Sequence, residues 1–267
     1  MITGIVSLQL MQFFMNVGSV SGTFGTMKKI AQIMGTDSEP DGGEPVPEVC
    51  ADIEFDNVSF AYAGGQDVIK NLSVKIPMGK VTAVIGGNGA GKSTLFKLLL
   101  HLYEPKSGEI RFGGDGIGKY SLTDWRDRFA VVPQRNPLIG GTVRENIAYG
   151  LDREVSDEEL AETARRANFS GGQGQCISIA RAMLRNADYL LLDEATSNLD
   201  VVSEAEVTGA MDELMRDKTT IMIAHNYAAT RNADYIIVMK DGAVEAAGTP
   251  DELLKTNEYY KMFVKTL

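Results

Sequence analysis

Apolar and polar positions change rhythm along this chain, and each change predicts a different element. Residues 1–27 carry no Asp, Glu, Lys, Arg or His. Twelve of the first twenty are strongly apolar, among them Phe13, Phe14, Met15 and Val17. A charge-free run of that length can span, or nearly span, a hydrocarbon core. Residues 28–35 (KKIAQIMG) predict a short helical continuation. Residues 36–50 combine three Pro, two Gly and five acidic residues, the composition of a linker. From Ala51 the pattern becomes that of strands. Ile53 and Phe55, then Val58, Phe60 and Tyr62, alternate with polar residues. Val81–Ile85 is a short apolar strand running into a glycine-rich loop. A helix is expected from about Ser93 to Tyr103, stopped by Pro105. Ala130–Val132, Tyr189–Leu192 and Ile221–Ile223 predict buried strands. Tyr235–Val238 and Ala243–Glu245 flank Asp241-Gly242, a strong hairpin signal. Ser156-x-x-Glu159 predicts a capping box opening a helix to about Ala167. Strands alternating with helices predict an α/β domain.

The apolar start admits three readings. A signal peptide requires a basic n-region, and no basic residue precedes Lys28. A buried helix of a soluble fold is the second reading. The third is the end of a membrane helix whose cytoplasmic exit is marked by Lys28 and Lys29. Gln9, Gln12 and Asn16 would then face a bundle interior or a wet cavity rather than lipid.

Composition narrows the function classes. Hydrophobic residues make up 44% and charged residues 23% of the 267, ordinary globular values. The net charge of −10 argues against general electrostatic binding of DNA or RNA. Its sources are uneven: residues 1–27 contribute nothing and residues 28–50 contribute −3. Two cysteines, Cys50 and Cys176, are too few for a disulfide framework and fit a reducing setting.

The chemistry is concentrated in two stretches. Gly86-Gly87-Asn88-Gly89-Ala90-Gly91-Lys92-Ser93 matches G-x-x-x-x-G-K-[ST], followed by Thr94. Its glycines let backbone N–H groups turn inward around phosphate oxygens, and the following helix N-terminus adds a favourable dipole. Lys92 supplies a point charge to the β- and γ-phosphates, and the Ser93 hydroxyl completes a Mg²⁺ shell. Tyr189-Leu190-Leu191-Leu192-Asp193-Glu194 is an apolar strand ending in two carboxylates. Asp193 can reach Mg²⁺ and Glu194 can polarise an attacking water as general base.

With Phe169-Ser170-Gly171-Gly172-Gln173 added in this order, the chain resembles the nucleotide-binding domain of an ABC transporter. It looks nearest to the exporter type, in which a membrane domain precedes the ATPase on one polypeptide. The resemblance implies a P-loop NTPase (RecA-like) core with an antiparallel β subdomain and an α-helical subdomain at about 135–180. It implies the end of a transmembrane helix and its extension at 1–35, a linker at 36–50 and the ATP-binding domain at 51–267. By the same resemblance, Tyr62 stacks on adenine. Gln134 touches Mg²⁺ and relays to the membrane domain. Ser170, Gly171, Gly172 and Gln173 bind the γ-phosphate of ATP held by a second copy. Asp200 faces that copy, and His225, 31 residues after Glu194, is the switch histidine. ATP and Mg²⁺ are the implied cofactors. A second ATPase copy and the transporter's membrane domain are the implied partners, nucleic acid is not, and the ATPase would lie on the cytoplasmic face of the cell membrane.

The chain departs from the family pattern between Gln134 and Ser170, an interval of 36 residues that is about twenty shorter than in exporters. The helical subdomain is therefore expected to be shortened. Gly174 and Cys176 stand where the family carries arginines. With at most one spanning helix, the chain is expected to be a fragment or truncated product that forms no translocation path alone. An ATP-binding but catalytically poor interaction module is the alternative reading.

Overall fold

In the computed structural model, which describes residues 26–31, 34–35, 39, 42–168, 174–193 and 201–265 (backbone only for 201–206), the chain divides into two compact units, 1–41 and 42–267. In the first, residues 26–31 form a helix, α1, with exposed side chains. The apolar run of residues 1–25 lies outside the described residues. Among the described residues, no helix is long and apolar enough to cross a membrane.

The second unit begins with β1 (Ile53–Ala61), β2 (Asp67–Ile76), β3 (Val81–Gly86), α2 (Lys92–Leu99), β4 (Ser107–Phe112) and β5 (Asp115–Gly116). It continues with α3 (Leu122–Asp127), β6 (Phe129–Val132), α4 (Val143–Ile147), α5 (Asp157–Arg166), α6 (Gly174–Arg185) and β7 (Tyr189–Asp193). Then come α7 (Val201–Met215), β8 (Thr219–Ile223), α8 (Tyr227–Thr230), β9 (Tyr235–Lys240), β10 (Ala243–Gly248), α9 (Pro250–Thr256) and α10 (Glu258–Lys265). The α/β class is as the sequence predicts.

Two sheets carry the unit. The antiparallel one has the order β2-β1-β4-β5. Its alternation is broken by the two residues between Phe55 and Val58, yet both side chains are buried. A bulge at Asn57, with φ +50°, absorbs the extra residue and returns Val58 and Phe60 to the core face. The other sheet has the order β10-β9-β3-β8-β7-β6, with every pair parallel except β10 and β9. The hairpin predicted at Asp241-Gly242 is present. Both turn residues have positive φ, +50° and +86°, and Ala243 pairs with Lys240.

Helix α2 stops at Leu99, four residues before the expected Tyr103. His101 takes a left-handed φ of +50°, which ends the helix before Pro105 is reached. Arg126 donates to the carbonyls of Leu100 and His101, at 3.1 and 2.9 Å. A guanidinium from α3 thus serves the carbonyl end of α2. Beside it, buried Trp125 donates its indole N–H to Leu99 O at 2.8 Å and packs edge-on to Phe112 and Phe129. Trp125→Phe removes that bond and part of a packed ring, so chemical denaturation should show a loss of about 2 kcal/mol.

Helix α5 starts where Ser156 predicts, its hydroxyl accepting from Glu159 N at 3.1 Å. The returning half of the capping box is not made by Glu159. Arg153 holds that carboxylate in two hydrogen bonds of 2.8 and 2.6 Å instead, the stronger pairing for a charged fork.

Residues 42–50 pack with the domain that follows. Glu44 N donates to Lys119 O at 2.8 Å, and Ser121 N donates to Glu44 O at 2.9 Å. Arg128 donates to Pro47 O. The hydroxyl of Tyr189 accepts from Ala51 N at 2.9 Å and donates to Ala51 O at 2.6 Å. Burial pushes this phenol up to about 12, so it keeps the proton it donates.

Candidate nucleotide-binding site

Strand β3 is buried from Thr82 to Gly86 and delivers the chain to a loop whose tip, Gly87 to Gly89, is exposed. At the turn, Gly86 has φ +150°, and a Cβ there would lie 2.2 Å from Met239 O of the neighbouring strand. Only glycine permits that approach. The loop then enters α2 through Gly91, whose φ is +100°. The first turn of α2 holds no acidic residue, and glycine offers no side-chain cap, so its amides and dipole face outward unopposed.

Lys92 is 6% exposed, and its ammonium donates to Gly86 O at 2.8 Å and Gly87 O at 3.1 Å. It bridges the start of the loop from the helix that ends it. The result is a glycine-rich loop closed on a buried cation at a helix N-terminus, a setting suited to a multiply charged anion.

Sheet register sets the rest of the site. Val84 on β3 pairs with Ile223 on β8, and Ile223 pairs with Asp193 on β7. Val132 on β6 pairs with Leu192. The carboxyl ends of four parallel strands are therefore level, in the edge where α/β sheets bind ligands. Half-buried Asp193 closes β7 on this edge. Exposed Gln134 follows β6 by two residues, and exposed His225 follows β8 by two. Strands sit about 4.8 Å apart, so β7 is about 10 Å and β6 about 14 Å from β3. Exposed Ser93 stands at the start of α2 on the same edge.

Tyr62 follows β1 directly and is half-buried. Its hydroxyl shares a hydrogen bond with Thr94 Oγ1 at 3.1 Å, which brings the sequence-predicted aromatic beside the phosphate loop. Lys97 and Tyr103 also touch Tyr62, and the sequence reading did not single them out. A signal existed: Thr94 and Lys97 are three apart, so they share a face of α2.

Glu194, Ser170, Gly171, Gly172, Gln173 and Asp200 lie outside the described residues. Just beyond that signature, Cys176 is buried in α6, and its thiol donates to Asn168 O at 3.8 Å.

Residues 69–197, from β2 to just past β7, match the family described as ABC transporter. The chain carries an ABC transporter domain. Among curated relatives of this ABC transporter domain is an uncharacterized ABC transporter ATP-binding protein, y4gM, of Sinorhizobium fredii. It is 39% identical over 246 residues, covering 84% of this chain and 42% of that one. The ATP-dependent lipid A-core flippase of Escherichia coli K12 is 38% identical over 258 residues, covering 87% of this chain and 44% of the flippase. A solved bacterial Atm1-family ABC exporter with ATP bound superposes with TM-score 0.79 at 28% identity, covering 89% of this chain and 46% of that one. The chain spans less than half the length of these relatives. Its ABC transporter domain is thus similar to part of each of these proteins, in sequence to the first two and in fold to the exporter.

Proposed function

We propose that the chain is the ATP-binding and hydrolysing module of an ABC exporter, in which ATP-driven dimerisation powers movement of a substrate across a membrane. The observation that carries this reading is the level carboxyl edge: the phosphate loop, Asp193, Gln134 and His225 meet there with one buried cation, Lys92. The exporter likenesses support it.

In this reading the nucleotide's phosphates lie on the amides of Gly86 to Gly91, with Lys92 on the β- and γ-phosphates and Ser93 and Thr94 beside them. Tyr62 stacks on adenine. Mg²⁺ is a hard cation that takes oxygen ligands. The Ser93 hydroxyl, the Asp193 carboxylate and the Gln134 amide carbonyl form such a set on the same edge, leaving places for water and phosphate. An ion held there would supply charge neutralisation for the transferred phosphoryl group. Glu194, next after Asp193, polarises the attacking water, and His225 contacts the γ-phosphate region.

Ser170, Gly171, Gly172 and Gln173 reach the ATP held by a second copy, and Asp200 faces that copy. The membrane domain of the same transporter is the other partner, which places this module on the cytoplasmic face of a cell membrane. The shortened stretch before Phe169 belongs to the helical subdomain.

Glu194→Gln should keep ATP binding and block its hydrolysis, so ATP accumulates between two copies. Light scattering with ATP should then give twice the monomer mass. A variant that binds ATP yet stays monomeric would contradict the sandwich.

A further inference from the structure

Tyr62 is held by more than its place at the end of β1. Its hydroxyl and Thr94 Oγ1 share a hydrogen bond of 3.1 Å, and Lys97 Nζ donates to the same hydroxyl at 3.3 Å. Both partners project from α2, the helix whose first turn closes the phosphate loop. Two further rings fix the orientation of the aromatic ring. Tyr103 meets it at 5.3 Å and 88°, and Phe60 meets it at 4.9 Å and 83°, both edge-to-face.

Stacking on a nucleobase requires a ring face but no hydroxyl. The hydroxyl here is committed to the helix that presents the phosphate amides. We propose that the Tyr62–Thr94 hydroxyl pair is a positioning link that locks the base-stacking ring to the phosphate-loop helix, so that recognition of the base and of the phosphates acts as one unit. This rests on the nucleotide-binding reading above, with Tyr62 as the stacking residue.

The link has a specific signature. A ring that is free to swing costs affinity only for ligands that own a base. Tyr62→Phe keeps the stacking face and removes the link, so it should raise the Kd for ATP about fivefold. It should leave the Kd for inorganic tripolyphosphate within about twofold of the unmodified chain. Thr94→Val removes the same link from the other side. Tyr62→Phe also loses the Lys97 bond, but the Thr94 link is lost in either variant, so the double variant should bind ATP no more weakly than the weaker single variant.

Calorimetric titration of the full chain and these three variants with ATP, and of Tyr62→Phe with tripolyphosphate, makes the test. Melting temperatures near that of the unmodified chain certify folding. Unchanged ATP affinity in Tyr62→Phe, or an equal loss for tripolyphosphate, would overturn the link. Additive losses in the double variant would do the same. Failure of the unmodified chain to bind ATP would instead overturn the nucleotide reading itself.

Discussion

Lys92→Ala is expected to weaken ATP binding by about 100-fold, and turnover at fixed ATP should fall at least as far. Two losses combine. The ammonium is 6% exposed, so its attraction for phosphate is less screened than at a surface. It also donates to Gly86 O and Gly87 O, which ties the start of the loop to the helix that ends it before any ligand arrives. Alanine removes the charge and releases both carbonyls. Water can replace the donor at exposed Gly87, whereas buried Gly86 O is left unpaired at a cost of about 1–3 kcal/mol, so the melting temperature should fall by several degrees. Isothermal titration with ATP measures the first effect and circular dichroism the second. Wild-type affinity in a folded Lys92→Ala chain would place the phosphate site elsewhere.

Gly86→Ala acts on the backbone instead of the charge. An alanine Cβ would sit 2.2 Å from Met239 O and 3.1 Å from Met239 C, at a φ of +150° that side chains avoid. The obstacle is backbone of β9, which pairs with β3 through this very residue. No rotamer change relieves it. Either the β3–β9 ladder parts or the turn into the phosphate loop opens. We expect a cost of about 3 kcal/mol, or about 6–12 °C in melting temperature for a domain this size. ATP affinity should fall as well, because the same turn aims the first loop amides. Thermal unfolding read alongside ATP titration checks both. A variant as stable as the unmodified chain would show that the strand end has slack the close contact denies.

The parallel core was legible because its strands are short, apolar and followed by turn residues. Val81–Ile85, Ala130–Val132 and Ile221–Ile223 all fall inside the strands that the structure shows. The hairpin was legible because Asp241-Gly242 allows positive φ at both turn positions. Strand β2 was missed, although Leu72, Val74 and Ile76 alternate as a half-buried strand should. Its first half does not alternate, since Asn71 bulges at φ +46°. The end of α2 was misplaced for a local reason: a left-handed histidine stops the helix before the proline that sequence rules watch for. The packing of Gly42 to Cys50 was invisible, because proline, glycine and acidic residues read as linker. What holds this stretch is remote: Glu44 pairs through its backbone with Lys119 and Ser121, Arg128 donates to Pro47 O, and the Tyr189 hydroxyl ties down Ala51 just beyond.

The site shows the same division. The glycine-rich turn between β3 and α2 was readable because a phosphate loop needs particular residues at fixed spacing. Asp193 was placed by an apolar run that ends in a charge. Their common edge follows from the order β3-β8-β7-β6, which puts β3 beside a strand more than 100 residues further along and carries no local signal. The contacts around Tyr62 depend on β1 meeting α2, another long-range event.

The most direct test of the nucleotide-site account is calorimetric titration of the full chain with ATP in the presence of Mg²⁺. One saturable site per chain, competed by tripolyphosphate and lost in Lys92→Ala, is the predicted result. A folded chain that takes up no ATP, or that takes it up equally well without Lys92, would contradict the account.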